Sequence, residues 1–181
     1  MKKMIALLLA LVMMTAVFAG CKEINETGDD AAAKTPIADN METVVNTIVE
    51  KNPVEFMGGI MPVDLTDTSE DGLWAIKSFT GLENADKLKD IAVYEPMMGS
   101  LAFSMVLVRV NDANDAKTVA QEMNDNIDTR KWICVEANDK MVVGYCDVVM
   151  LIMLDSSNGM TAQSFVDAFK TVCPGELDFT I

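Results

Sequence analysis

No histidine occurs in this chain. That absence removes the commonest general base, the commonest transition-metal ligand and the usual partner of a serine or cysteine nucleophile. A serine triad built on histidine is excluded. A Ser-Lys pair stays open in principle, but neither Ser-x-x-Lys nor Gly-x-Ser-x-Gly spacing is present, and the adjacent Lys77 and Ser78 would point in different directions on a helix. Cysteine is scarce too, at four residues, and no C-x-x-C pair offers zinc-site spacing.

Basic residues are half as numerous as acidic ones, 14 against 28, for a formal charge of −14. Such a surface repels nucleic acid, anionic headgroups and anionic wall polymers. Nucleic-acid binding is excluded, and the acidity is read as serving solubility and stand-off from an anionic envelope.

What the chain does have begins at its start. Lys2 and Lys3 precede an apolar stretch over residues 4–17, followed by Phe18-Ala19-Gly20-Cys21. Residues 1–20 read as a secretory signal peptide. The apolar stretch falls short of the roughly 20 residues a transmembrane helix needs. Cys21, directly after Ala19-Gly20, stands where a bacterial lipoprotein signal places the cysteine that takes a diacylglycerol. Phe18 departs from that pattern, which usually has Leu there. An ordinary signal cut after Ala19 is the alternative. Two or three acyl chains, at about 0.8 kcal/mol per buried methylene, would hold the chain firmly at a membrane. With the signal removed, 12 basic residues face 28 acidic ones, a charge of −16 before the new N-terminus is counted.

Residues 21–38 are small and polar with no apolar period, and read as a tether from the lipid anchor. The seventeen residues that follow Cys21, 22–38, span about 55–60 Å when stretched and average about 20–25 Å as a coil, so the domain is expected to stay near the membrane.

Residues 39–181 carry the globular pattern. Met41, Val44, Val45 and Ile48 form a helical stripe ended by Asn52-Pro53. Residues 56–62, with Gly58-Gly59 and Pro62, read as a loop. Thr68 or Ser69 is placed to cap a helix bearing Leu73, Trp74, Ile76 and Phe79, closed by Gly81. A short helical turn is expected over 84–88, then a strand over 90–95. The almost wholly apolar residues 101–110 read as a buried central strand. Residues 113–129 put Ala116, Val119, Ala120, Met123 and Ile127 on one helical face, with Arg130-Lys131 suited to its C-terminus. Residues 132–135 read as extended, 141–144 and 147–154 as a hairpin, and 161–172 as a helix with Ala162, Phe165, Val166 and Phe169 inward.

The fold class is therefore α+β in a single domain. Two ββα units are expected to give a four-stranded, mainly antiparallel sheet of order 1-2-4-3, with the short strands at its edges. The helices of the ββα units would lie on one face and the N-terminal helices would pack on the other, because central strands this apolar want burial on both sides.

With the elements placed, the signal, the acidic tether, the strand ending Tyr94-Glu95-Pro96-Met97-Met98, the strand from Ala102 to Val110 and the helix opening Ala116-Lys117-Thr118-Val119 resemble a family of lipoproteins from Gram-positive anaerobic bacteria. That family is catalogued as a domain of unknown function. The resemblance spans roughly residues 55–173 as a whole-domain pattern. It implies a single extracytoplasmic domain at a Gram-positive membrane, and brings neither catalytic residues nor a ligand.

Several groups invite a functional reading. Pro96, Met97 and Met98 join two strands, and adjacent methionines suit an adaptable binding surface. A loop folded back on the sheet end is the more ordinary expectation for them. Trp132 is a candidate for a partner surface, whereas Trp74, on an apolar helical face, reads as core. Asp64, Asp67, Glu70 and Asp71 lack the spacing of a calcium loop, and no metal or other cofactor is expected. Asp112 or Asn114 is placed to cap the following helix. Cys134, Cys146 and Cys173 cannot all pair within the chain, and read as small buried hydrophobes. A Cys134–Cys146 bridge would need a hairpin centred near Lys140. The leading expectation is a non-catalytic, lipid-anchored domain on the extracytoplasmic face that binds an envelope protein or a small solute. The alternative is a carboxylate-based hydrolase of envelope glycans.

Overall fold

A computed structural model describes residues 34–181. Cys21 and the residues read as a signal peptide lie outside the described residues. Four helices and six strands form in the order α1 (Met41–Lys51), β1 (Gly58–Met61), α2 (Glu70–Thr80), β2 (Leu88–Pro96), β3 (Phe103–Val110), α3 (Ala116–Asn126), β4 (Asp139–Tyr145), β5 (Val148–Leu154), α4 (Ala162–Lys170) and β6 (Phe179–Thr180). All strands join one antiparallel sheet in the order β1-β2-β3-β5-β4-β6. The central run β2-β3-β5-β4 is the 1-2-4-3 order expected from the apolar strands. The sheet is six-stranded rather than four-stranded, because β1 and β6 extend it at either edge.

The helix boundaries follow from caps. Asn40 Oδ1 accepts from the Thr43 amide at 2.8 Å to open α1, and Asp90 Oδ2 takes the Met41 amide at 2.8 Å. Ser69 opens α2, which Gly81 closes in the left-handed region at φ 79°. A Cβ at Gly81 would also meet the Ile127 backbone nitrogen at 2.7 Å. Asp112 Oδ1 accepts from the Asn114 amide at 3.0 Å and starts the single 3₁₀ turn that leads into α3.

The strand period divides the core in two. Phe103, Met105 and Leu107 of β3 point to one face with Met150 and Ile152 of β5, where α1 and α4 cover them. Val106, Val108 and Val110 point to the other with Val149 and Leu151, under α2 and α3. Every residue of β5 is buried, as a strand covered on both sides should be. The expected division of helices is thus corrected: each face takes one N-terminal helix and one later helix. The α3 and α4 units sit on opposite faces of the sheet.

Other departures are local. Residues 58–61 form edge strand β1 rather than a loop, residues 84–87 turn directly into β2 at Leu88 rather than forming helix, and residues 132–135 form bends and irregular chain rather than strand. The helices expected over 113–129 and 161–172 are shorter, at Ala116–Asn126 and Ala162–Lys170. Trp74 is 70 % exposed rather than core. Residues 34–38, read from composition as tether, lie against the domain, with Ile37 only 4 % exposed.

The lower end of the sheet, where β3 finishes and the β4–β5 turn lies, receives the chain from its N-terminal side. Lys34 Nζ meets Asp178 Oδ1 at 2.5 Å, Tyr145 donates its hydroxyl proton to Thr35 O at 2.8 Å, and Arg109 donates to Asp39 O at 2.6 Å. Burial pushes the Tyr145 phenol and the Cys173 thiol each up to about 12, from ordinary values of 10.0 and 9.0. These groups ionise in the unfolded chain before they ionise in the fold, so the native state holds more protons above about pH 9. Their contribution to stability is full below pH 9 and falls as pH rises toward 12. Urea unfolding at pH 8, 9.5 and 11 should show this decline, and it should be shallower in Cys173→Ala than in the parent chain. Equal slopes in the two proteins would refute the assignment.

Candidate functional site

The opposite, upper end gathers four connections: residues 52–57 before β1, 97–102 between β2 and β3, 127–138 before β4, and 155–161 after β5. Two features stand there, one on each side of the sheet.

On the side of α2 and α3, Lys131 is folded into the sheet end with only a small part of its side chain exposed. Its ammonium donates to Glu95 Oε1 at 2.6 Å, Ser104 Oγ at 3.2 Å and Ser78 O at 3.3 Å. Three donors thus meet three acceptors. The Phe79 and Trp132 rings lie 5.0 and 5.4 Å from the same nitrogen, within cation–π range. Burial holds the Lys131 ammonium below its ordinary value, and the Glu95 carboxylate offsets only part of that shift. Glu95 and Ser104 come from β2 and β3, whose alternation turns both toward this face. Ser104 is fully buried on a central strand, so although it contacts a lysine it is closed to any substrate. The cluster is built as a brace between the 127–138 connection and the sheet.

On the side of α1 and α4 lies a cavity of about 640 Å³ between the last turn of α1, the approach to β1 and the first turn of α4. The volume falls within the range of small-molecule sites, about 300–1,000 Å³. Asn52 donates through Nδ2 to Ser164 Oγ at 3.0 Å, and Ser164 Oγ donates to Thr161 O at 2.8 Å, tying α1 to α4 beside the opening. Phe56, Leu101 and Met160 supply apolar wall, and Glu55 is the one carboxylate among the lining residues. Beneath it, Phe56 packs on Phe103 with ring centroids 5.0 Å apart, and Phe103 on Phe165 at 5.1 Å.

The residues singled out from sequence fall around this same end. Pro96 ends β2 opposite Gly58 of β1, and is half-buried. Met97 and Met98 are 67 % and 59 % exposed, so the loop does not fold back over the sheet. The Met97 amide donates to Met57 O at 2.9 Å, which brings a third exposed methionine, Met57, to the same corner. Trp132 is half-buried with its ring at Lys131, rather than standing free as a surface platform.

Cys134 is exposed and holds φ 66°, which corrects its reading as a buried hydrophobe. Cys146 sits in the β4–β5 turn at the lower end, whereas Cys134 precedes β4 at the upper one, about 20 Å away along a seven-residue strand. No disulfide joins them. Asp64 and Asp67 accept from the amides of Thr66 and Ser69 in local turns, at 2.8 and 2.9 Å. Among the described residues, no helix is long and apolar enough to cross a membrane.

Glu95, Ser104 and Lys131 were missed as a group. The signal was present in Ser104, the one hydroxyl in a central strand whose other polar residue is Arg109 near its end, because a buried polar side chain requires a partner. The cavity had no comparable signal, since its walls come from three separate connections. The chain matches no protein-family model, no curated protein and no solved structure.

Proposed function

We propose that this chain is an extracytoplasmic lipoprotein, anchored through Cys21, whose domain binds a partner or solute close to the membrane without catalysing a reaction. The observation that carries this reading is the asymmetry of the two ends. The chain joins the domain at the lower end, where residues 34–39 run along it. The upper end bears the cavity and exposes Met57, Met97, Met98 and Ile133. Exposed apolar groups gathered around a cavity mark interaction sites in soluble domains. The resemblance to lipoproteins of Gram-positive anaerobes belongs to the same reading.

The competing reading as a glycan hydrolase draws no support from the cavity. Glycoside hydrolysis uses a pair of carboxyl groups, and Glu55 is alone among the lining residues.

Two measurements test the proposal in cells. Cys21→Ser should abolish incorporation of labelled fatty acid and shift the protein from membranes to the medium; unchanged labelling would remove the anchor. A photo-crosslinking residue placed at Met98 should capture a defined partner from intact membranes, whereas one placed at Asp86, on the turn before β2, should not. Equal capture from both positions would remove the upper end as the binding surface.

A further inference from the structure

The lining of the upper cavity also carries information about the charge of what it accepts. Glu55, exposed at the rim, contributes a carboxylate with no hydrogen bond or ion pair to any described residue. Neither lysine nor arginine lines the cavity. The hydrogen-bond chain from Asn52 Nδ2 through Ser164 Oγ to Thr161 O fixes the orientation of the Asn52 amide. Its Oδ1 is thereby left as an acceptor that no described residue uses.

The helix ends agree with this. At the α4 N-terminus, which would otherwise attract an anion, Asp139 Oδ2 already takes the Ala162 amide at 2.8 Å and Thr161 Oγ1 takes the Ser164 amide at 3.2 Å. The α1 C-terminus, at Asn52, presents the negative end of its dipole. Around the site, residues 34–181 carry 24 acidic side chains against 11 basic ones, a net charge of −13 that draws cations toward the domain.

We infer that this cavity is a binding site for a small organic cation, a primary amine whose ammonium pairs with Glu55 and donates to Asn52 Oδ1 while its carbon chain lies on Phe56, Leu101 and Met160. The inference rests on the reading of the domain as a binding module, and specifies the class of solute it takes. An anionic ligand would find no compensating charge here.

The test uses the full chain in non-ionic detergent, with spermidine as the cationic probe, N-acetylglucosamine as the neutral one and citrate as the anionic one. Calorimetry should show saturable binding of spermidine alone. Amide chemical-shift changes should centre on residues 52–56 and 158–164. Glu55→Gln should weaken binding about tenfold, the loss expected when a charge-assisted contact is removed. Glu42→Gln, an equal change in net charge on the exposed first turn of α1, should leave it within about twofold. Equal affinities in the Glu55→Gln and parent proteins would overturn the inference, as would shifts spread over other acidic surfaces or no saturation at about 10 mM spermidine. Binding of N-acetylglucosamine in the cavity without spermidine would overturn the amine assignment and keep the binding-module reading. Failure of all three probes together with no partner captured at Met98 would overturn both.

Discussion

Phe103→Ala is expected to lower the free energy of unfolding by about 3–5 kcal/mol, the range for deleting a fully buried aromatic ring. Phe103 opens β3 and is fully buried. Its ring meets Phe56 at 5.0 Å, Phe165 at 5.1 Å and Tyr94 at 6.3 Å, so it joins the approach to β1, the β2 strand and the α4 helix. Those three elements arrive from different parts of the chain and cannot close over the vacated volume together. The loss should therefore contain a cavity contribution beyond simple transfer of the ring. Urea denaturation gives the value directly, and Phe103→Leu should recover most of it by refilling the space. A loss below about 1 kcal/mol for the alanine variant would show that the upper end can collapse, contrary to the packing described.

The second large effect is electrostatic. Lys131→Met should cost about 3–5 kcal/mol, because removing one partner of a buried pair leaves the other uncompensated. The Glu95 carboxylate would lose its 2.6 Å contact and Ser104 its 3.2 Å one, on a face where Val106 and Met153 supply only apolar neighbours. The double variant Glu95→Gln with Lys131→Met should regain more than half of that loss, since it removes the stranded charge as well. A double-mutant cycle measured by urea unfolding separates the outcomes. Additive losses would show that Glu95 and Lys131 act independently. The brace also sets the position of the 127–138 connection, so amide exchange there should accelerate in Lys131→Met ahead of the rest of the domain.

Much of the fold was legible because β5 is apolar through its length and β3 is so but for Ser104 and Arg109. Strands of that kind must be covered on both faces, and two of them in one chain pair at the centre. The edges were harder to read. β1 is four residues beginning Gly58-Gly59, a pattern that signals a loop; Gly58 is required instead because a Cβ there would meet the Tyr94 ring at 2.7 Å. The sequence reading of α2 followed its largest side chains, Leu73 and Trp74. The buried stripe is Gly72, Ile76 and Thr80, where Thr80 satisfies its own hydroxyl on Ile76 O at 2.6 Å and can face the core. Lys131 was read as a cation at a helix C-terminus, but α3 stops at Asn126 and the chain turns Lys131 into the sheet. The Met97-Met98 corner was recognised as a candidate surface from adjacency alone. The cavity beside it depends on how the ends of α1 and α4 meet, which no local pattern encodes.

The salt bridge between Lys34 and Asp178 has a practical consequence for labelling. Together with the Lys34 contact to Glu176 O at 2.9 Å, it brings the first described residues beside the segment that leads into β6, at the lower pole of the domain. From there β6 climbs the β4 edge until Ile181 pairs with Val142, midway along that strand, so a fluorescent reporter fused after Ile181 would sit beside the sheet edge rather than at the pole where Lys34 enters. Joining Ile181 to Lys34 through a linker that spans the lower half of β4, and cutting the chain at residues 156–158, would move the point of attachment to the upper end. Such a circular permutant would present the pole that now carries the cavity at its point of attachment.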